Sequence, residues 1–354
     1  MPPLLRQLED NVRSGENVQH CLEKFLPLQP AEAAKPAELS FIPAHAENLH
    51  FMMAAKATIA MRIQQGWYKN RLIVLPTLEK SGSTFCELML SDMLLRNGVN
   101  AKYFPASGSA GPLSTSGPAH FSCLGLMNIP DGGVLRGSFE PEDRNLDTLQ
   151  KLGCPVVILM RHPADRLVAN ICMRYKLVSD QFRKPLAQVI DEIFFGLGNA
   201  QARTKAEGYL PDYFETLQWM SGWLALAGRH NFIVVRYEDL FYDAARAIPA
   251  LYRRLFDGEM GAGALDAAIA LQQRTHEGGD LQASKANPHY HYPHSYTGKA
   301  GVWRDYLNSE HVATANRITE AFCAINSHAE SLLRLYPDLM LDSSELTKEK
   351  AASA

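Results

Sequence analysis

The sequence predicts an α/β fold, a three-layer α/β/α arrangement with a central, mainly parallel sheet and an extra helical segment at the N-terminus. The first ground is a set of continuous apolar runs of strand length, Leu72-Ile73-Val74-Leu75, Cys154 to Met160 and Phe232 to Val235, of the kind buried on both faces of a parallel sheet. The second is that stretches with helical spacing alternate with these runs. The third is that three polar motifs, KSGSTF, RHPADRL and RYEDL, each follow one of the runs. Open α/β sheets bind ligands at the carboxyl ends of their strands.

Residues 1 to 45 hold a short amphipathic pattern (Leu4, Leu5, Leu8, Val12) and then the Pro/Ala-rich PLQPAEAAKPAELSFIPAH, and are expected to form a helical appendage and linker. Residues 46 to 342 are expected to form a single domain, and 343 to 354 a flexible tail. From Glu47 to Gln65, apolar residues recur at helical spacing until Gly66 stops them. The strand RLIVLP follows. After KSGST, the positions Phe85, Leu88, Met89, Leu94 and Leu95 predict a helix ending at Asn97-Gly98. The stretch Ala101 to Pro130 is rich in Gly, Ser and Pro and reads as a surface excursion of the kind that carries substrate loops. A short strand over Gly133 to Arg136, the strand Cys154 to Met160, helices near 185 to 197 and 211 to 228, and the strand Phe232 to Val235 complete the alternation.

With 354 residues, 46% of them apolar, the chain has ample material for its own core. Its 35 basic and 38 acidic residues leave a net charge of -3, which argues against a nucleic-acid partner held by bulk charge. Any anion site must be local. The six cysteines (Cys21, Cys86, Cys123, Cys154, Cys172, Cys323) are scattered without CxxC spacing and read as buried free thiols of a reducing compartment. The N-terminus lacks the pattern of a secretory signal, and no window approaches 18 consecutive apolar residues. No membrane span is expected, and the expected localisation is cytoplasmic.

In KSGSTF, Gly82 lets backbone approach an anion, the N–H groups of Ser83, Thr84 and Phe85 open a helix, and Lys80 supplies charge. The lysine precedes the glycine, unlike the GxxxxGK[ST] loop of an ATP-dependent P-loop kinase, and Pro-Thr-Leu-Glu stands before Lys80. The plainer reading is an ordinary strand-to-helix turn capped by Ser or Thr. Arg161, at the end of an apolar run, is placed to bind a second phosphate; its plainer reading is a surface pair with Asp165. RYEDL puts Tyr237 and Glu238 at the same sheet edge, or simply begins a helix.

Taken in order, LEKSGSTF, RHPADRL, WMSGWLALAGRHNFIVVRYEDL and YTGKAGVWRDYL resemble the motifs of the sulfotransferases that use 3′-phosphoadenosine 5′-phosphosulfate (PAPS). The resemblance spans about residues 70 to 310. It implies a P-loop-like nucleotide-binding core and transfer of a sulfuryl group to a hydroxyl or amine of a small-molecule or glycan acceptor, with release of adenosine 3′,5′-bisphosphate (PAP) and with no metal required. It implies that Lys80, Ser81, Gly82, Ser83 and Thr84 hold the 5′-phosphosulfate, that Arg161 binds the 3′-phosphate, and that Phe85 and Tyr237 lie by the adenine. Tyr296, Thr297, Gly298 and Lys299, with Gly301 and Trp303, would belong to a loop closing over the nucleotide.

The chain departs from the family at several positions. Glu79 replaces a proline, which requires its side chain to point outward or to pair with a base. Ala169 replaces a serine, with Asn170 adjacent as a substitute donor. Tyr296 and Thr297 replace an Arg-Lys pair, leaving Lys299 and Arg304 as nearby cations. Ser138 stands where many members have a histidine, so Glu140, then His120, then Glu142 are the candidates for the base that takes the acceptor's proton. His289, His291 and His294 invite a metal, but without a supporting carboxylate pattern they read better as lining the acceptor pocket. The alternative function is a PAPS- or nucleotide-binding interaction protein impaired in transfer.

Overall fold

The computed structural model describes residues 57, 59–99, 101, 132–171, 209–230, 232–277 and 300–346. These fall into two compact units. The first takes the described residues up to Val74, those of Leu94–Leu135, and Phe139–Pro155; the second takes Leu75–Met93, Arg136–Ser138 and the described residues from Val156 onward. His120, His289, His291, His294, Tyr296, Thr297, Gly298, Lys299 and the expected appendage lie outside the described residues, as does the helix expected near 185 to 197.

Strand β1 (Leu72–Pro76) begins after a 3-10 turn, Trp67–Asn70, and its neighbour is β2 (Gly133–Gly137); Leu72–Val74 and Gly133–Leu135 are counted with the first unit and the last two residues of each strand with the second. The N–H of Gly133 donates to the carbonyl of Arg71 at 2.8 Å, and that of Val74 to Pro155 at 3.0 Å. Leu72, Ile73, Val74 and Leu75 are all buried, as a strand covered on both faces requires. Helix α2 (Asp143–Leu152) ends on Gly153, whose N–H donates to the carbonyl of Leu149 at 3.0 Å.

The second unit holds α1 (Ser83–Arg96) as far as Met93, β3 (Val157–Met160), α3 (163–171), α4 (Tyr209–His230), β4 (Ile233–Arg236), α5 (Tyr237–Tyr242), α6 (Ala244–Leu255) and α7 (Ala262–Glu277). It closes with the short α8 (Trp303–Tyr306), α9 (Ser309–Ile325) and α10 (Ala329–Leu335). Strands β3 and β4 are parallel, in register from Val157↔Ile233 to Met160↔Arg236. A parallel bridge joins Thr77 to Leu159. The expected strand from Cys154 starts later because Pro155 has no N–H to give a ladder. RYEDL becomes helix at once: Tyr237 opens α5 directly after the last strand residue.

Helix α4 packs on α9 and α10, with an edge-on contact of Phe214 with Phe322 at 5.9 Å and a hydrogen bond from Ser221 to Asn326 at 3.3 Å, and its Trp223 is fully buried, against Trp219 and Phe232. Each such buried side chain contributes about 1.5–3 kcal/mol. Asn308 caps α9: its Oδ1 accepts from the N–H of His311 at 2.9 Å, and His311 Nδ1 accepts from the N–H of Asn308 at 3.1 Å. Ser343–Glu345 form a 3-10 turn, Glu345 pairs with Arg304, and Leu346 is buried.

Candidate functional site

Strand register alone brings the motifs of the second unit together. Met160↔Arg236 is the last pair of β3 and β4, so Arg161 and Tyr237 leave the sheet side by side. Thr77 bridges Leu159 and donates its N–H to the carbonyl of Gly137 at 3.0 Å, which starts the KSGSTF turn at the same edge, beside Ser138.

The turn itself is tightly specified. Lys80 has φ 68° and Gly82 φ 84°, both left-handed. A Cβ on Gly82 would come within 2.2 Å of Tyr237 Cδ2, so the position demands glycine twice, for its backbone and for its contact. The carbonyl of Gly82 accepts from the N–H of Cys86 at 3.1 Å, starting the ladder of α1. Ser83 and Thr84 occupy its first turn, where backbone N–H groups lack helical acceptors.

Three cations stand around this turn. Arg161 is buried at 4% exposure, donates from Nη1 to the carbonyl of Lys80 at 2.9 Å, and lies 4.8 Å from the centre of the Tyr237 ring. Arg136 donates to Thr84 Oγ1 at 3.2 Å and to Ser83 Oγ at 3.5 Å, and pairs with the buried Glu87 at 3.0 Å. Lys80 is held below the ordinary lysine range, first by burial; Glu79 opposes the shift, while Arg161 and Arg136 add to it. Glu79 is exposed. Positive charge is thus crowded against a helix N-terminus, an arrangement that favours an anion.

The remaining expected residues are placed as follows. Phe85 is buried at 2% exposure, inside the core. Ala169 and Asn170 are buried on α3. Tyr237 is buried, and burial pushes its phenol up. The hydroxyl of Ser138 donates to the carbonyl of Thr77 at 3.2 Å, tying the ends of β2 and β1. Glu140 and Glu142 belong to the first unit: Glu140 is half-buried, its carbonyl accepting from Asn145 Nδ2 at 2.8 Å, and Glu142 is the exposed residue preceding α2. Among the described residues no group of three or more His, Cys, Asp or Glu side chains is placed to hold a metal, and no helix is long and apolar enough to cross a membrane.

Behind the turn, every residue from Arg161 to Ile171 is buried. A helix start surrounded on all sides must have its charged groups matched. Arg166 donates from Nε to the carbonyl of Glu79 at 3.1 Å and from Nη1 to Thr216 Oγ1 at 2.6 Å. The N–H of His162 donates to Glu238 Oε1 at 2.7 Å, and Tyr336 donates its hydroxyl to Glu238 Oε2 at 3.3 Å. Burial pushes the Glu238 carboxyl up, against the hydrogen bond from His162. Asp165 accepts from the N–H of Gly301 at 2.5 Å and of Trp303 at 3.0 Å. A cavity of about 470 Å³, lined in part by Asp165, Glu238, Tyr242, Trp303 and Asp338, adjoins this cluster.

Three placements escaped the sequence reading. Arg136 belongs to none of the motifs, although a charged residue at the carboxyl end of an apolar strand is a signal in itself. Glu238 braces the RHPADRL segment, and Asp165 holds the late glycine segment rather than standing on the surface beside Arg161.

No protein-family model and no curated protein matches the sequence. Among solved structures, the chain is similar to that of mouse sulfotransferase SULT7A1 complexed with PAP, at 14% identity and a TM-score of 0.46, over 76% of this chain and 89% of that one. It is also similar to retinol dehydratase in complex with androsterone and inactive cofactor PAP, at 16% identity and a TM-score of 0.47, over 77% of this chain and 86% of that one.

Proposed function

We propose that the protein is a PAPS-dependent sulfotransferase that moves a sulfuryl group to a hydroxyl or amine of a small-molecule or glycan acceptor and releases PAP. The observation that carries the reading is the gathering of Lys80, Arg136 and Arg161 around the KSGSTF turn, taken with the order of the four motifs. On this reading the strand pairs belong to one three-layer, P-loop-like domain over 46 to 342. The buried thiols of Cys86 and Cys154 suit a cytoplasmic protein.

In this mechanism the backbone and hydroxyls of Ser81 to Thr84 hold the 5′-phosphosulfate at the start of α1. The acceptor oxygen or nitrogen forms its bond to sulfur as the bond from sulfur to the bridging oxygen breaks. Lys80 neutralises the charge that develops on that oxygen, and Arg136 faces the same group across Ser83 and Thr84. Arg161, with Asn170 and the stretch Tyr296, Thr297, Gly298 and Lys299, holds the 3′-phosphate, while Phe85 and Tyr237 limit the adenine side. The acceptor's proton passes to Glu140 or His120; Ser138, whose own proton is directed at Thr77, is the weaker candidate.

Calorimetric titration with PAP tests the reading. The wild-type chain binds, and the double variant Lys80→Ala, Arg161→Ala binds at least about 100-fold more weakly, since charge-assisted hydrogen bonds contribute about 1.5–3 kcal/mol each. Absence of binding by the wild-type chain would sink it. The Ser138 contact also favours a second reading, a nucleotide-binding protein without transfer activity. Transfer of radiolabelled sulfate from PAPS into an acceptor pool from cell extract separates the two.

A further inference from the structure

Glu87 is a carboxylate set in an apolar run of α1: it is 1% exposed, and Phe85, Cys86, Met89 and Leu90 on either side of it are buried as well. It follows Thr84 by three residues and Ser83 by four, which puts all three on one face of the helix. Arg136, from β2, lies against that face. Its Nη1 is 3.0 Å from Glu87 Oε2, 3.2 Å from Thr84 Oγ1 and 3.5 Å from Ser83 Oγ. All four residues belong to the second unit.

A carboxylate is costly at this place on two counts. Its buried charge has to be offset by a partner, and the same charge repels any anion held at the helix start one turn away. An apolar side chain would meet neither cost. As a bare counter-charge to Arg136, Glu87 would only weaken an anion site. What it adds is geometry. The hydrogens of Nη1 face three oxygens, of which Glu87 Oε2 is both the nearest and the charged one, so it is the strongest hold on that nitrogen. With Nη1 held, the planar guanidinium keeps one orientation, and its remaining N–H groups keep a set direction beside Ser83 and Thr84.

We propose that Glu87 is a positioning residue of the anion site at the start of α1: its carboxylate holds Nη1 of Arg136 against Ser83 and Thr84, so that Arg136 meets the 5′ end of the donor from a set direction. This rests on the sulfotransferase reading, in which the first turn of α1 carries the 5′-phosphosulfate. Glu87 itself touches neither donor nor acceptor and acts through Arg136. The proposal therefore predicts a sign: loss of a negative charge near the site weakens the binding of an anion, where simple electrostatics would have it strengthened.

The experiment measures, by calorimetry, the affinity of wild type, Glu87→Met and Glu87→Gln for PAP and for adenosine 3′-monophosphate, which lacks the 5′-phosphate. Comparing the two ligands cancels the contacts they share. The expected result for Glu87→Met is PAP binding about tenfold weaker, with adenosine 3′-monophosphate changed by no more than about twofold. Glu87→Gln, which keeps an acceptor oxygen for Nη1 without its charge, should bind PAP about threefold more weakly than wild type. In an Arg136→Lys background, where no planar group is left to orient, Glu87→Met should weaken PAP binding no further. Should Glu87→Met fail to fold, the sign of the change in Glu87→Gln decides. PAP bound by these variants as tightly as by wild type or more tightly, an equal loss for both ligands, or the same loss in the Arg136→Lys background would overturn the proposal and leave the sulfotransferase reading intact. Failure of wild type itself to bind PAP would overturn that reading, and this inference with it.

Discussion

At the KSGSTF turn, Lys80 is half-buried with Arg161 and Arg136 pressing on it, and the carboxylate that opposes their effect, Glu79, is exposed. Along the start of α3, by contrast, Asp165, Arg166 and the backbone of His162 each meet a fixed partner at hydrogen-bonding distance. The two regions share a sheet edge and treat charge in opposite ways. The α3 start is electrostatically complete within the fold, whereas the turn keeps an excess of positive charge that a bound polyanion would complete. Fixed partners lie along the start of α3 and clustered positive charge at the turn, an arrangement that would preorganise a surface for an anion.

The sharpest way to break this contrast is at Gly82. Gly82→Ala forces a Cβ to within 2.2 Å of the Tyr237 ring at a φ of 84°, and PAP affinity is expected to fall by more than about 100-fold, against about 1–3 kcal/mol of stability. Adding Tyr237→Ala removes the clash and leaves the backbone strain, so it should restore part of the affinity. If Gly82→Ala binds PAP normally, the turn is not the anion site.

Thr216→Val probes the complete region. It takes the acceptor from Arg166 Nη1 and is expected to cost about 1–3 kcal/mol in urea denaturation, with PAP affinity of the folded protein changed by no more than about threefold. Comparable losses in both would mean that the two regions are not separable.

The smallest effect is a pH dependence. Because burial lowers the Lys80 pKa from 10.5, PAP affinity should decline as pH rises through that lowered value, at most about tenfold per pH unit, and Lys80→Arg should flatten the profile. In the free protein the sign reverses. The folded state holds fewer protons than the unfolded one between the lowered value and 10.5, so stability rises with pH across that window. Titration of PAP affinity across this range in the two proteins checks it.

What the sequence made legible was local. The apolar runs marked β1, β3 and β4 to within one or two residues, apart from the proline at the start of β3, and the turn from Lys80 to Thr84 announced itself by composition and position. What it did not show were meetings between distant residues: Arg136 with Thr84, Tyr237 with Gly82, Asp165 with Gly301 and Trp303. Such contacts leave no periodicity to read. They follow from strand register, since Met160↔Arg236 and the Thr77↔Leu159 bridge decide which residues emerge together. The sequence placed Glu238 only at the sheet edge for the same reason: a strand-end motif shows which edge a side chain reaches, not that its carboxylate meets the N–H of His162.

Lys80 holds a left-handed backbone at φ 68°, a conformation that costs a side-chain-bearing residue about 1–2 kcal/mol relative to glycine. Its ammonium is also partly desolvated. For the folded chain alone, glycine would be the better residue at this position on both grounds. On the proposed function the turn is a place where thermal robustness and ligand capture select different amino acids, so a search for stabilised variants of this chain scored on melting temperature alone would be drawn to position 80 and would return proteins that fold better and bind worse.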